Sequence, residues 1–384
     1  MKFFVLGNHR ELSIAEIVAV TGVSDFKSVS GDLLLLDTDM SSATLQDKLA
    51  GSIKVGSVIG ELGEWDKEAC ADLIVAMIGE VTNRVEFGIS VYDAGDGKRT
   101  KELRGESQKL GLSIKKRLKE SGHPVRLVTS NEKTLSAVVI TTNKLLERGG
   151  EFVLIVTKDS ILVGQTEAVQ DFEAWSKRDF GRPARDSKSG MLPPKLARMM
   201  INLTGADPHT ATILDPFCGS GTVLMEAALM GFTRIIGSDI STKAIEDSQK
   251  NHEWLMKQDQ LVAPVTLHVS PAQTLDQLVK EPVDAIVTET YLGPGLHGGE
   301  HPDFIKKNLK MLGELYRDCF GTLFDLLKPG GTAVVAFPVF QTQVGEQEAM
   351  GRTVIEQIGF HVANKIRYER VGQHVARDIM VLKR

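Results

Sequence analysis

The first 165 residues alternate between short apolar runs and segments with helical spacing. Phe3 to Gly7 reads as a strand, and Leu12 to Thr21 as a helix with Leu12, Ile14, Ile17 and Val18 apolar. Four leucines between Asp32 and Asp37 predict a buried strand, and Ser42 to Leu49 a short helix capped by Ser41 or Ser42. Ile53 to Ile59 alternates as a strand, giving a β-α-β-β-α-β-like start with helices on one face of a small sheet. Further on, Cys70 to Ile78 and Ser107 to Ser121 read as helices, and Val85 to Tyr92 as an alternating strand. Val125–Val128 and Ala137–Ile140 are expected as strands, Asn143–Leu146 as helix, and Glu151–Thr157 with Ser160–Gly164 as a hairpin.

After a proline-interrupted stretch the rhythm changes to βαβ. Pro183, Pro193 and Pro194 prevent one continuous helix, and Lys195 to Leu203 follows as a helix with Leu196, Met199, Met200 and Leu203 inward. Thr212–Leu214, Arg234–Ser238, Val265–Val269 and Asp284–Thr288 are expected as parallel strands. Val223–Met230 and Lys243–Trp254 are the helices between the first three. Leu323–Leu327, Pro329-Gly330-Gly331 and Thr332–Phe337 read as helix, turn and strand, and Phe360–Val362 with Val371–Leu382 as a final antiparallel hairpin. The fold class expected is α/β: a doubly wound C-terminal domain behind an α+β N-terminal region.

Composition narrows the setting. The chain has 384 residues, 42% of them hydrophobic and 25% charged, as in ordinary soluble globular proteins. It has no apolar run of transmembrane length, and the stretch before Asn8 is too short for a signal peptide. Cys70, Cys218 and Cys319 are far apart and form neither a disulfide framework nor a CxxC site, so a cytoplasmic protein without a metal is expected. His268 reads as a strand-end residue. The net charge of −5 hides a strong asymmetry. Lys98 to Arg126 holds ten Lys/Arg against three Glu, and Lys177 to Arg198 seven against two Asp. Either cluster alone reads equally as a solvated helix face; together they point toward phosphate binding.

The chemistry centres on residues 211–240, ATILDPFCGSGTVLMEAALMGFTRIIGSDI. Gly219 and Gly221 let the backbone turn between strand and helix and let a ligand approach, and the helix offers unpaired N–H groups there. Asp239, at the end of the second strand, is placed to accept both hydroxyls of a ribose. The spacing is neither GxGxxG nor a P-loop. The string DPFCGSGT followed by GSDI resembles the S-adenosylmethionine-binding segment of class I (Rossmann-like) nucleic-acid methyltransferases. That resemblance assigns cofactor contacts to Asp215, Pro216, Phe217, Gly219, Gly221, Thr222, Asp239 and Ile240. Relatives commonly carry an Asp-Ala pair for the adenine amine where this chain has Pro271-Ala272-Gln273, so the adenine is left to backbone groups at Ala272 or to Gln273.

Two further strings carry resemblance. The basic helix ahead of VRLV, with the later NKLL turn, resembles a THUMP domain, a module that binds RNA in tRNA-modifying enzymes. RDFGRPARDSKSGMLPPKLARMMINL resembles the segment joining that domain to the catalytic domain in tRNA guanosine-N2 methyltransferases that act on guanosine 10; there the PPKLAR helix closes one side of the cofactor pocket. The organisation expected is 1–65 ferredoxin-like, 66–165 THUMP-like, 166–190 linker and 191–384 methyltransferase. Lys115, Lys116 and Arg117 are candidate RNA contacts, while Arg182, Arg185 and Lys188 read equally as phosphate contacts or loop solubilisers.

Catalysis is expected at the end of the fourth strand, where Glu289-Thr290-Tyr291-Leu292-Gly293 stands in place of the family's DPPYG. An exocyclic amine attacks only once acceptors draw its N–H groups, and an aromatic ring stacks on the flipped base. Glu289 keeps an acceptor on a longer arm; Thr290 and Tyr291 replace both prolines, and the aromatic moves one place earlier. The reading is an S-adenosylmethionine-dependent tRNA methyltransferase acting on the exocyclic amine of a guanosine. The alternatives are a non-catalytic tRNA-binding protein that retains the pocket, and an rRNA or DNA amino-methyltransferase.

Overall fold

The computed structural model describes residues 1–28, 31–79, 84–185, 191–294, 296, 300–342, 345–370 and 375–384. The chain forms two compact units, Met1–Phe172 and Glu173–Arg384.

The N-terminal unit runs β1 (Lys2–Leu6), α1 (Arg10–Thr21), β2 (Phe26–Ser28), β3 (Leu33–Leu36), α2 (Ser42–Lys48), β4 (Ser52–Leu62), α3 (Lys67–Ile78) and β5 (Val85–Asp93). It continues through α4 (Gly97–Glu120), β6 (Val125–Val128), α5 (Ala137–Thr142), α6 (Leu145–Arg148), β7 (Gly149–Val156) and β8 (Ile161–Val169). All eight strands join one sheet in the order β2-β3-β1-β4-β8-β7-β5-β6. Pairing is antiparallel except that β5 runs parallel to both β6 and β7. The expected division near residue 65 therefore does not divide the sheet: β4, on one side of it, pairs with β8, on the other.

Side-chain caps explain the helix starts. Asp96 accepts from the N–H of Arg99 and opens α4 ten residues earlier than the apolar spacing suggested. Ser136 does the same for Val139, and Ala137–Ile140, expected as a strand from its β-branched residues, is instead the start of α5. Lys54, 2% exposed, is held by Glu151 at 2.7 Å and by Tyr92 at 3.1 Å, while Glu151 also accepts from Thr166 at 2.6 Å. Every partner in that buried network is met within the unit, which is what makes a buried charge tolerable.

The C-terminal unit holds α7 (Phe172–Phe180), α8 (Pro194–Thr204), β9 (Thr212–Asp215), α9 (Thr222–Leu229), β10 (Arg234–Asp239), α10 (Thr242–Asp259) and β11 (Val265–Val269). A 3-10 turn at Ala272–Gln277 leads to β12 (Val283–Glu289), α11 (Pro302–Leu326), β13 (Leu327–Thr342), β14 (Gly345–Glu348), α12 (Arg352–Ile358), β15 (His361–Tyr368) and β16 (Val375–Lys383). The main strand order is β11-β10-β9-β12-β13-β16-β15. β11 to β13 pair in parallel, and β16 with β15 closes the sheet antiparallel. The order reverses between β9 and β12, so the crevice of this sheet opens at their carboxyl ends. Tyr316, Phe320 and Phe337 pack the core below it, with ring centroids 5.1–5.6 Å apart.

Candidate active site

β9 ends in Asp215, which is 3% exposed. Its Oδ1 accepts from the Thr288 hydroxyl at 2.6 Å and from the Phe217 N–H at 3.1 Å. Burial raises its pKa to about 7, the two hydrogen bonds oppose that rise, and the charges of Asp239 and Glu289 add to it. The chain then turns through Cys218, whose N–H bonds to Ser238 at 2.9 Å, and through Gly219 and Gly221 at φ +51° and +84°. A Cβ on Gly221 would lie 2.4 Å from Ser248 Oγ. A Cβ on Gly219 would meet nothing within 4 Å, so the space on that side is open to a ligand. Asp239 binds the loop back on itself, accepting from the N–H of Gly219 at 3.0 Å and of Ser241 at 2.9 Å.

Above this loop lies a cavity of about 440 Å³. Asp215, Pro216, Phe217, Gly219, Thr222, Asp239, Ile240, Ala272 and Gln273 line it, as do Glu289, Thr290 and Tyr291. Gly221 shapes the turn beneath. Ile240, 74% exposed, offers an apolar face beside Asp239. The Gln273 carbonyl is held by the Thr322 hydroxyl at 2.8 Å. Met191 and Leu192, just ahead of α8, form another part of the wall.

The end of β12 is built from distant parts of the sequence. Glu289 Oε1 accepts from Arg377 Nε at 2.5 Å, and Arg377, on β16, is 7% exposed. Thr290 gives both its N–H and its hydroxyl to the Ala336 carbonyl, at 3.2 Å each. The Tyr291 carbonyl accepts from the buried Tyr316 hydroxyl at 2.5 Å, while the residue as a whole is 49% exposed. Arg377, Tyr316 and Thr288 were not among the residues singled out in the sequence. For Arg377 the signal was present: an arginine beside Asp378 inside the otherwise apolar β16.

The basic candidates scatter. Arg182 is not a surface residue: it is 3% exposed and donates to Thr222 Oγ1 at 2.6 Å. Ala184 and Asn251 exchange two bonds of 2.9 Å, and Asn251 also donates to the Ser220 carbonyl, so this linker is clipped to α10 and the glycine loop. Arg178 and Arg198 converge on buried Glu226 at 2.7 and 3.0 Å, with Trp175 stacked on both guanidiniums. Arg185 lies over the Phe180 ring, and Lys188 falls outside the described residues. On α4, Arg117 is paired with Glu68 and Asp72 of α3, Lys116 lies 3.9 Å from Glu120, and Lys115 is half-buried. Arg178, Arg182, Arg185 and Arg198 are not among the residues that line the cavity described above. Counting cations along the sequence cannot tell inward from outward ones.

A parallel sheet closed by an antiparallel hairpin, with a glycine loop after β9 and an acid ending β10, is a Rossmann-like methyltransferase fold. TrmN from Thermus thermophilus shares it, with a TM-score of 0.55 at 16% identity over 100% of this chain and 99% of that one. Residues 182–358, most of the C-terminal unit, match the RMKL-like methyltransferase domain family (UPF0020). A DNA methylase family (N6_N4_Mtase) also matches over residues 104–250, a span that crosses both units and shares the glycine loop with the first match. The tRNA (guanine(10)-N2)-dimethyltransferase of Methanothermobacter thermautotrophicus is 34% identical over 42% of this chain, which spans 41% of that relative's length. The enzyme of the same name from Methanocaldococcus jannaschii is 26% identical over 81% of this chain and 87% of its own.

Proposed function

We propose that this chain is an S-adenosylmethionine-dependent tRNA methyltransferase acting on the exocyclic amine of a guanosine, at position 10 as the relatives' names have it. The observation that carries the reading is a single cavity joining the Asp215–Asp239 loop to the Glu289 carboxylate. The cavity suits the cofactor: open space at Gly219, an acid for ribose hydroxyls at Asp239, an apolar face at Ile240, and Asp215 to face an ammonium. S-adenosylmethionine supplies an electrophilic methyl group on a sulfonium.

The rest falls to the chain's own residues. A carboxylate has about four acceptor sites, so Glu289 keeps capacity for an amine N–H while bonded to Arg377. Drawing on that N–H would localise the nitrogen lone pair toward the methyl group the cofactor would supply, and Glu289 would accept the proton the amine loses on transfer. The half-exposed Tyr291 is available to stack on the base. The test is transfer of labelled methyl to unmodified tRNA, followed by mass spectrometry of its nucleosides.

One observation favours the non-catalytic reading. At Thr290 and Tyr291, which replace the prolines of DPPY, the Thr290 N–H and hydroxyl are given to the Ala336 carbonyl and the Tyr291 carbonyl accepts from the Tyr316 hydroxyl. Tight tRNA binding with no transfer to any tRNA is the result that reading requires.

A further inference from the structure

We propose that Arg84, Arg126 and Arg148 form a site for an RNA phosphate in the N-terminal unit; the inference rests on the tRNA reading above. The three guanidiniums gather around one carboxylate. Glu86, the second residue of β5, has a side chain 4% exposed. Its Oε1 lies 3.3 Å from Arg84 Nε and 3.2 Å from Arg148 Nη1, and its Oε2 lies 3.5 Å from Arg126 Nη1. The sheet register sets the arrangement: Glu86 is directly opposite Arg126 on β6 and Gly149 on β7, with Arg148 just before that glycine.

Neutralising Glu86 requires one cation, and three are present, so the cluster carries two surplus positive charges. The arginines remain 56%, 52% and 45% exposed. Each guanidinium has five N–H donors in a planar fork, far more than two carboxylate oxygens can accept. Three like charges held together repel, and a phosphate removes that repulsion while matching the fork geometry. The arginines of α4 differ: Arg99 donates to the Gly63 carbonyl, Arg104 to the Val91 carbonyl, and Arg117 pairs with α3. The three arginines of α4 are thus engaged within the unit, while Arg84, Arg126 and Arg148 are gathered at Glu86.

The test uses the full chain and a tRNA carrying a 5′-monophosphate, bound across about 50–200 mM salt. Glu86→Gln combined with Arg84→Gln, Arg126→Gln and Arg148→Gln removes the cluster without stranding a buried carboxylate. Affinity is expected to fall about tenfold or more, with the log–log salt slope flatter by about one, while cofactor affinity stays as in the wild type. Arg148→Gln alone, which leaves Glu86 two cations, is expected to give a smaller loss in the same direction. If dephosphorylating the tRNA weakens the wild type but not the fourfold variant, the ligand is the terminal phosphate; equal binding of both RNAs by the wild type assigns an internal phosphodiester. Wild-type affinity and slope in the fourfold variant, with wild-type methyl transfer intact, overturns the site and spares the enzyme reading. A wild-type chain that neither binds nor methylates tRNA overturns both.

Discussion

The carboxyl ends of β9 and β12 lie side by side in one sheet and open into one cavity, yet they are built in opposite ways. The β9 end is built chiefly from its own loop: Asp215 accepts from Phe217, Cys218 bonds to Ser238, Asp239 accepts from Gly219, and Gly219 and Gly221 make the turn, with Thr288 as the distant partner of Asp215. The β12 end is assembled from afar. Glu289 meets Arg377 across 88 residues, and the Tyr291 carbonyl meets Tyr316 across 25. Local geometry constrains which residues can stand there and so leaves a motif; at the β12 end ETYLG stands in place of the family string, and its carboxylate is held by Arg377 from another strand.

If the two ends divide the work, with β9 and β10 binding cofactor and β12 performing transfer, substitutions should separate along the same line. The largest effect is expected at Glu289. Glu289→Ala should slow turnover on the order of a hundredfold or more, the usual effect of losing one aligned electrostatic contact, with cofactor affinity little changed. Glu289→Gln keeps an acceptor and should fall less than Ala. A joint loss of cofactor binding in either variant would merge the two ends into one unit.

Next comes Asp239→Ala, expected to weaken cofactor binding by about 1.5–3 kcal/mol through a lost charge-assisted acceptor. Because Asp239 also holds Gly219 and Ser241, Asp239→Asn is the control that keeps much of the loop's shape. Calorimetry showing unchanged affinity in both would remove Asp239 from the ribose role.

A smaller effect comes with pH. Asp215 takes up its proton at about 7 in the folded chain, against an ordinary value of 3.8. The raised value means the fold prefers the protonated acid, so without cofactor stability is expected to fall as pH rises from about 4 to about 7. An ammonium beside Asp215 needs the ionised form, so cofactor affinity should drop by up to about tenfold per pH unit below about 7. Melting curves and calorimetry between pH 5.5 and 8 read both, and a flat affinity profile would count against an ammonium at Asp215. The smallest effect is expected at Tyr291→Ala, about tenfold in turnover if its ring stacks on the base, within the ~1–3 kcal/mol of base–aromatic stacking.

The same contrast between local and long-range explains what the sequence made readable elsewhere. The βαβ rhythm of the C-terminal unit and the positions of the cavity-lining loop could be read, because apolar periodicity and glycine placement are local properties. Ala137–Ile140 misled because a single capping serine outweighs the β preference of Val138, Val139 and Ile140. The joining of residues 1–65 and 66–165 into one sheet depends on β4 meeting β8, a pairing across about a hundred residues that no local pattern marks. Arg182 and Arg117 counted as surface cations until burial and acidic partners were seen. Arg377 stood in plain view, but nothing near it in sequence pointed to Glu289.

We propose that Glu289 carries methyl transfer to a guanosine amine in tRNA while the Asp215–Asp239 loop holds the cofactor. Single-turnover transfer from labelled S-adenosylmethionine to unmodified tRNA, with the product nucleoside mapped, tests it most directly. A methylated guanosine amine is expected from the wild type, and a loss of about a hundredfold or more in Glu289→Ala with cofactor affinity retained. Wild-type rate in Glu289→Ala, or no transfer by the wild type to any tRNA, would contradict it.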